Sequence, residues 1–219
     1  MKIKIILQYK SITLIKKTID HDSVLVWSPL ELLNGINKFD QDFVLAKKIH
    51  HPVKQKQFSA GRQLLRKLTG DDSVIVYDQF GGPIVLEKQH LEVSLSHSDD
   101  MVAAACSKRP IGIDIQNKTE KLIKIIERFL SNDELLIASS TNRQIYAQFC
   151  WSAKEAMFKA YRKGNIDFRK QLKPNIPVDQ LNKTEFDSIG ELVIGDEVKL
   201  MKLNFFKHHE YSIVSAILL

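Results

Sequence analysis

The stretch Ile111-Gly112-Ile113-Asp114-Ile115-Gln116 has the rhythm of a β-strand, with an apolar residue at every second position. Ile111, Ile113 and Ile115 share one face, fit for a core, while Gly112, Asp114 and Gln116 share the other. A glycine, a carboxylate and an amide in one row make a surface that a phosphate or a hydrated cation can approach closely. Taken alone, the pattern is first of all a half-exposed strand with a polar face.

Outward from this strand, helices and strands intermix without the regular alternation of a doubly wound sheet. Residues 2–7 alternate lysine and isoleucine like a half-buried strand, and Ser28-Pro29-Leu30-Glu31 carries the signals of a helix start. Residues 53–69 form a basic amphipathic helix capped at Gly70. Strands are expected at 73–77, 91–96 and 101–106, and helices near 120–130 and 132–140. The second of these opens on the capping-box pattern Ser131-Asn132-Asp133-Glu134. A long helix follows over about 142–163, stopping at Gly164. Residues 170–195 read as irregular, and 196–206 with 211–219 as closing strands. The fold class is α+β (mixed α/β) with small antiparallel sheets.

The long helix carries the second candidate feature. At 100° per residue, Ile145, Phe149, Ala153, Ala156 and Ala160 form a buried stripe, and Trp151, Glu155, Lys159 and Arg162 fall opposite. Glu155 and Lys159 at i, i+4 are ordinarily a surface ion pair. Trp151 aligned with them is odd for open solvent and suggests a cleft wall.

Residues 91–100, LEVSLSHSDD, end a strand on Ser94, Ser96, His97 and Ser98. No glycine elbow marks a nucleophilic serine, so phosphate binding is the better functional reading beside a plain polar strand end. On the basic helix, Arg62 and Arg66 form one edge that could meet a phosphate.

The chain of 219 residues has Lys+Arg 32 against Asp+Glu 26, a net charge of +6, which favours an anionic partner without naming it. Neither a helix-turn-helix nor a zinc-finger nor an RNP-like pattern is present, so charge alone speaks for nucleic acid. No apolar run approaches a membrane span, and the N-terminal MKIKIILQYK is too short in its apolar part for a secretory signal. Cys106 and Cys150 sit in apolar stretches and read as buried hydrophobes in a reducing, cytoplasmic compartment.

Taken in order, FSAGRQLLR, GGP, VSLSHS, IGIDIQ, ERFLSNDE and FCWSAKEAMFKA resemble the 4′-phosphopantetheinyl transferase superfamily, in its longer, monomeric, surfactin-synthetase-activator type. The motifs G-I-D-I and W-S-x-K-E-A-x-x-K are the most specific, and the matching region runs from about Phe58 to Lys159. The resemblance implies two similar α+β subdomains about a pseudo-two-fold axis, each a small antiparallel sheet with a long helix, divided as 1–109 and 110–219. Coenzyme A would lie between them.

The implied activity is Mg²⁺-dependent transfer of phosphopantetheine from coenzyme A to a serine of an acidic apo acyl or peptidyl carrier protein. Asp114 and Glu155 would hold the metal with Gln116, and Glu155 and Lys159 would serve the chemistry beside Asp114. Arg62, Ser96, His97, Lys154 and Lys159 would meet the coenzyme A phosphates. Two positions depart from the family pattern: many relatives have glutamate where Gln116 stands, and often lysine where Gly82 stands. A non-catalytic coenzyme A-binding relative is the alternative that the Gln116 departure keeps open.

Overall fold

A computed structural model of the chain describes residues 5–9, 12–30 and 40–219. Two compact units emerge, Met1–Lys108 and Arg109–Leu219. The α+β expectation is met, for both units combine antiparallel sheets with helices.

In the first unit, the strands are β1 (Ile5–Tyr9), β2 (Ile12–Thr18), β3 (Val24–Pro29), β4 (Ile75–Tyr77), β5 (Pro83–Val85), β6 (Glu92–Ser98) and β7 (Met101–Ser107). The helices are α1 (Asp40–Lys47) and α2 (Pro52–Thr69). The main sheet runs β1-β2-β3-β7-β6, antiparallel throughout, and β4 and β5 pair separately. Every residue of β7, Met-Val-Ala-Ala-Ala-Cys-Ser, is buried, and its row of alanines lets α2 lie close against it. Ala60, Leu64 and Leu65 of α2 join Val26, Val93, Val102 and Ala104 in one core.

The second unit holds β8 (Ile111–Asn117), β9 (Leu172–Lys173), β10 (Glu185–Ile194), β11 (Glu197–His208) and β12 (Tyr211–Leu218). Its helices are α3 (Glu120–Lys124), α4 (Ile126–Phe129), α5 (Asn132–Ser140) and α6 (Arg143–Tyr161). Its sheet runs β8-β12-β11-β10-β9, with α6 laid across β8 and β12. The stripe Phe149, Ala153, Ala156 and Ala160 is buried as its period requires, against Leu203, Phe205, Val214 and Ala216.

Several elements differ from the sequence reading. Ser28 and Pro29 end β3, paired with Val102 and Met101, instead of opening a helix; residues 31–39, like 2–4, lie outside the described residues. The residues near 120–130 form two short helices, broken at Ile125. The long helix ends at Tyr161, where Arg162 takes the left-handed conformation (φ 55°) and its N–H caps the Phe158 carbonyl. The stretch 170–195 contains β10, masked in sequence by its charges and by Gly190.

Candidate active site

Asp114 is held at the centre of β8, and Gly112 decides how. A Cβ at Gly112 would overlap the Ala156 carbonyl oxygen and come within 2.7 Å of the Ala160 nitrogen. The glycine therefore lets α6 settle directly on β8, and the open approach for a ligand expected at this position is filled by the helix. Both faces of β8 are enclosed, since Ile111, Ile113 and Ile115 are also buried.

This contact sets Asp114 opposite the last turns of α6. Lys159 Nζ donates to Asp114 Oδ1 at 2.8 Å and to the Ile113 carbonyl at 3.0 Å. The Asp114 side chain is 7% exposed and that of Lys159 26%, so the pair reaches solvent through the lysine. The expected partner of Lys159 on its own helix, Glu155, lies one turn back and half-buried. Burial pushes the Glu155 carboxyl above its ordinary range; the Lys159 charge pulls it down and the Asp114 charge pushes it up again. Asp114, Glu155 and Lys159 thus form one interacting group spanning strand and helix.

Gln116, two residues along the Asp114 face, donates through Nε2 to the Asn117 carbonyl at 2.9 Å. Its own carbonyl accepts from Gln148 Nε2 at 2.8 Å, and the same amide donates to the Glu210 carbonyl at 2.9 Å. Gln148 thereby fastens the end of β8 and the β11–β12 turn to α6. At 100° per residue Gln148 falls on the same helix face as Ser152, Glu155 and Lys159, which was the available signal for it. The Ser152 and Ser212 hydroxyls pair at 2.8 Å between Gln148 and the acidic group.

Other expected site residues fall elsewhere. Lys154 is fully buried, and its ammonium donates to Glu134 Oε2 at 2.7 Å and to the Phe129 and Phe168 carbonyls at 2.8 and 2.9 Å. An ammonium has three donors, and all are engaged. The expectation of a phosphate-binding Lys154 is corrected: the residue ties α6 to α5 and to the chain on either side. Glu134 is held in turn by the capping box: its carboxylate accepts from Ser131 N at 2.7 Å, and its backbone N–H donates to Ser131 Oγ at 3.2 Å. Trp151 packs edge-on to Phe129 at 5.1 Å and near Phe168 at 6.0 Å, and it stays partly exposed.

Arg62 is corrected in the same way. It is 1% exposed, with Nε donating to Asp42 Oδ1 at 2.5 Å and Nη2 to the Ile75 carbonyl at 2.6 Å, and its guanidinium lies over the Phe58 and Tyr77 rings. Arg66 donates to the other Asp42 oxygen and to the Ser73 carbonyl. Burial works to raise the Asp42 carboxyl, but the bonds from Arg66 and Arg62 hold it below its ordinary value. The basic edge of α2 is thus an enclosed framework, while Lys54 and Lys56 stay exposed.

On β6, Ser96 is buried and His97 exposed, and as strand neighbours they point to opposite faces. Asp99, at φ 48°, turns the chain from β6 into β7. In the turn from β4 to β5, Asp78 Oδ1 accepts from the Phe80 and Gly82 backbone N–H groups, each at 2.8 Å. A Cβ at Gly82 would lie 2.7 Å from an Asp78 oxygen. Any side chain there would displace the aspartate, and glycine at this departure from the family pattern suits this turn. Both cysteines are free and buried, and burial raises each thiol, as for inert core residues. No described helix is long and apolar enough to cross a membrane.

Asp114, Glu155 and Lys159 lie in a stretch that is similar to known proteins. Residues 110–202 match the family model of the 4′-phosphopantetheinyl transferase superfamily. Particular relatives agree. The chain is similar to the 4′-phosphopantetheinyl transferase gsp of Aneurinibacillus migulanus, 38% identical over 90 residues, which are 40% of this chain and 37% of that protein. To psf-1 of Bacillus pumilus it is 38% identical over 87 residues, 38% of this chain and 37% of the relative. To Sfp of Bacillus subtilis (strain 168) it is 33% identical over 89 residues, 39% of this chain and 40% of the relative. The matches thus span about two fifths of the length of these curated relatives.

Proposed function

We propose that the protein transfers the 4′-phosphopantetheine group of coenzyme A to a serine hydroxyl of an apo carrier protein, acyl or peptidyl, releasing 3′,5′-ADP. The observation that carries this reading is the group of Asp114, Glu155 and Lys159. Two carboxylates and a lysine from different elements are assembled where one carboxyl is pushed up by burial and by the other acid. Such perturbed acids gather at sites of chemistry more than at sites of support.

The donor set also fits Mg²⁺. Asp114 and Glu155 supply carboxylate oxygens and Gln116 an amide oxygen, all hard ligands of the kind this ion takes alongside water and phosphate oxygens. Among the described residues no three of histidine, cysteine, aspartate and glutamate gather as a metal site. That is consistent with two acids completed by the substrate. Burial, with the Asp114 charge added, raises the Glu155 carboxyl, and a divalent cation would offset both. When bound, the ion would supply charge neutralisation on the diphosphate oxygens.

The chain's own residues would divide the work. The serine Oγ attacks the β-phosphorus, forming a new P–O bond as the bridging oxygen leaves with 3′,5′-ADP. Glu155, the carboxylate of the group carried on α6, takes the hydroxyl proton as general base. Lys159, already oriented by Asp114 and the Ile113 carbonyl, meets the negative charge growing on the phosphate oxygens. The net charge of +6 suits an acidic carrier protein through steering, with the protein acting as a cytoplasmic monomer and neither nucleic acid nor membrane as partner.

Incubation with coenzyme A, Mg²⁺ and a panel of apo carrier proteins, read by intact mass, tests the reading. One phosphopantetheine gained on a carrier, and lost with EDTA, is expected. Coenzyme A binding without transfer to any carrier would favour the non-catalytic relative, which the Gln116 departure motivates.

A further inference from the structure

The second unit holds a groove of about 680 Å³ that none of the residues discussed above as transfer chemistry enters. It lies between the first turn of α5 and the segment Arg169–Ile176, which precedes and follows β9. Its floor is apolar, built from Ile137, Tyr146 and Ile176. Its rim is basic: Arg169, Lys170 and Lys173 all line it.

These cations are lightly engaged. Lys170 stands 4.0 Å from Asp167 with its side chain 80% exposed, and Lys173 stands 3.8 Å from Glu191 with its side chain 54% exposed. Exposed pairs at such distances contribute little. Arg169 donates to Asn132 Oδ1 at 2.6 Å, bridging the two walls with a neutral partner that leaves its charge uncompensated. Of the acids in the lining, Glu134 is already bonded to Lys154, which leaves Asp133; Asp167 and Glu191, beside Lys170 and Lys173, do not line the groove.

The groove is supported from beneath by the same buried bridge. Glu134 and Tyr146 face it on one side and belong, on the other, to the enclosed network of Lys154 and α6. An apolar trough with a positive rim on a rigid base suits an amphipathic segment that carries carboxylates beside an apolar side chain.

We infer that this groove docks an acidic, amphipathic segment of the protein substrate, so that part of carrier selection is made by Arg169, Lys170 and Lys173. The inference rests on the transferase reading and extends it to a surface outside the Asp114–Glu155–Lys159 group. The rim cations steer the carrier and the floor retains it.

The test compares the wild type with the double reversal Lys170→Glu/Lys173→Glu and with Ile176→Ser, using intact-mass transfer at varied apo-carrier and varied coenzyme A. The double reversal is expected to raise the KM for the carrier about tenfold at low salt and to flatten its salt dependence. The KM for coenzyme A should stay unchanged, and a matching circular dichroism spectrum verifies the fold. Ile176→Ser should raise the carrier KM without altering the salt dependence. If the wild type modifies a carrier and both variants keep its KM, the docking inference is overturned while the transferase reading stands. If the wild type modifies no carrier in the panel and binds none in titration calorimetry, the reading fails and takes the inference with it.

Discussion

The two units place a long helix on a five-stranded antiparallel sheet, yet they treat the helix charges differently. In the first unit both arginines of α2 close on Asp42 and on backbone carbonyls, with each partner almost wholly buried. In the second unit α6 carries one lysine of that kind and one of another. Lys154 is enclosed and fully bonded, while Lys159 reaches solvent beside two acids, one of which resists ionisation. Enclosure against a buried acid and backbone carbonyls marks a charge that supports the fold. Partial exposure with a displaced carboxyl marks one available for chemistry.

The comparison can be broken most forcefully at the enclosed charges. Lys154→Met alone leaves Glu134 buried without its cation and is expected to cost about 3–5 kcal/mol in denaturant unfolding. Adding Glu134→Leu should recover most of that loss, since an apolar pair of similar volume removes the uncompensated charge. A double variant no more stable than the single one would show that Lys154 acts otherwise.

Asp42→Asn should destabilise the first unit by a similar amount, about 3–5 kcal/mol at neutral pH, because two buried guanidiniums lose their anion. The folded Asp42 carboxyl lies below its ordinary value, so its contribution is present above that ordinary value and is lost as pH falls through the folded one. The gap between variant and wild type should therefore narrow in acid, as unfolding curves at several pH values would reveal.

Gly112→Ala sharpens the account of how the site is positioned. Its methyl group meets helix backbone and not a flexible side chain, so α6 must lift from β8, at about 1–3 kcal/mol or more. Transfer should fall further than stability does, since Lys159 would lose its register with Asp114. Equal stability and equal transfer would refute the close-packing role.

The smallest effect has the opposite sign. The folded Glu155 carboxyl lies above its ordinary value, so the fold favours its protonated form, and stability is lost as pH rises through that interval. In metal-free protein, Glu155→Gln is expected to raise Tm modestly at neutral pH and to leave it unchanged below the ordinary carboxylate range. Calorimetry at the two pH values checks this.

Much of the molecule was legible because its signals are local. Alternation in 111–116, the Ser131–Glu134 capping box and the stripe of α6 each depend on near neighbours, and all three form. What escaped depends on long-range partners. Arg62 and Lys154 look alike to Lys159 in sequence, and only a distant Asp42 or Glu134 decides which charge is enclosed. Gly112 could equally have admitted a ligand or a helix, and the helix took the place. β2 and β10 are hidden by the charges and the Gly190 that interrupt them, and β3 by the helix-start signal of Ser28-Pro29 at its end, while pairing across the sheet overrides those local preferences.

The central claim is that the open charge group, and not the enclosed one, carries out transfer. Intact-mass measurement of single-turnover transfer from coenzyme A to an apo carrier, with Mg²⁺, tests it in two folded variants side by side. Glu155→Gln should lose at least about a thousandfold in rate with its melting temperature kept or raised. The repacked Lys154→Met/Glu134→Leu protein should stay within about tenfold of wild type, as expected for a pair that supports the fold. An active Glu155→Gln protein, or a well-folded but inactive repacked one, would contradict the account.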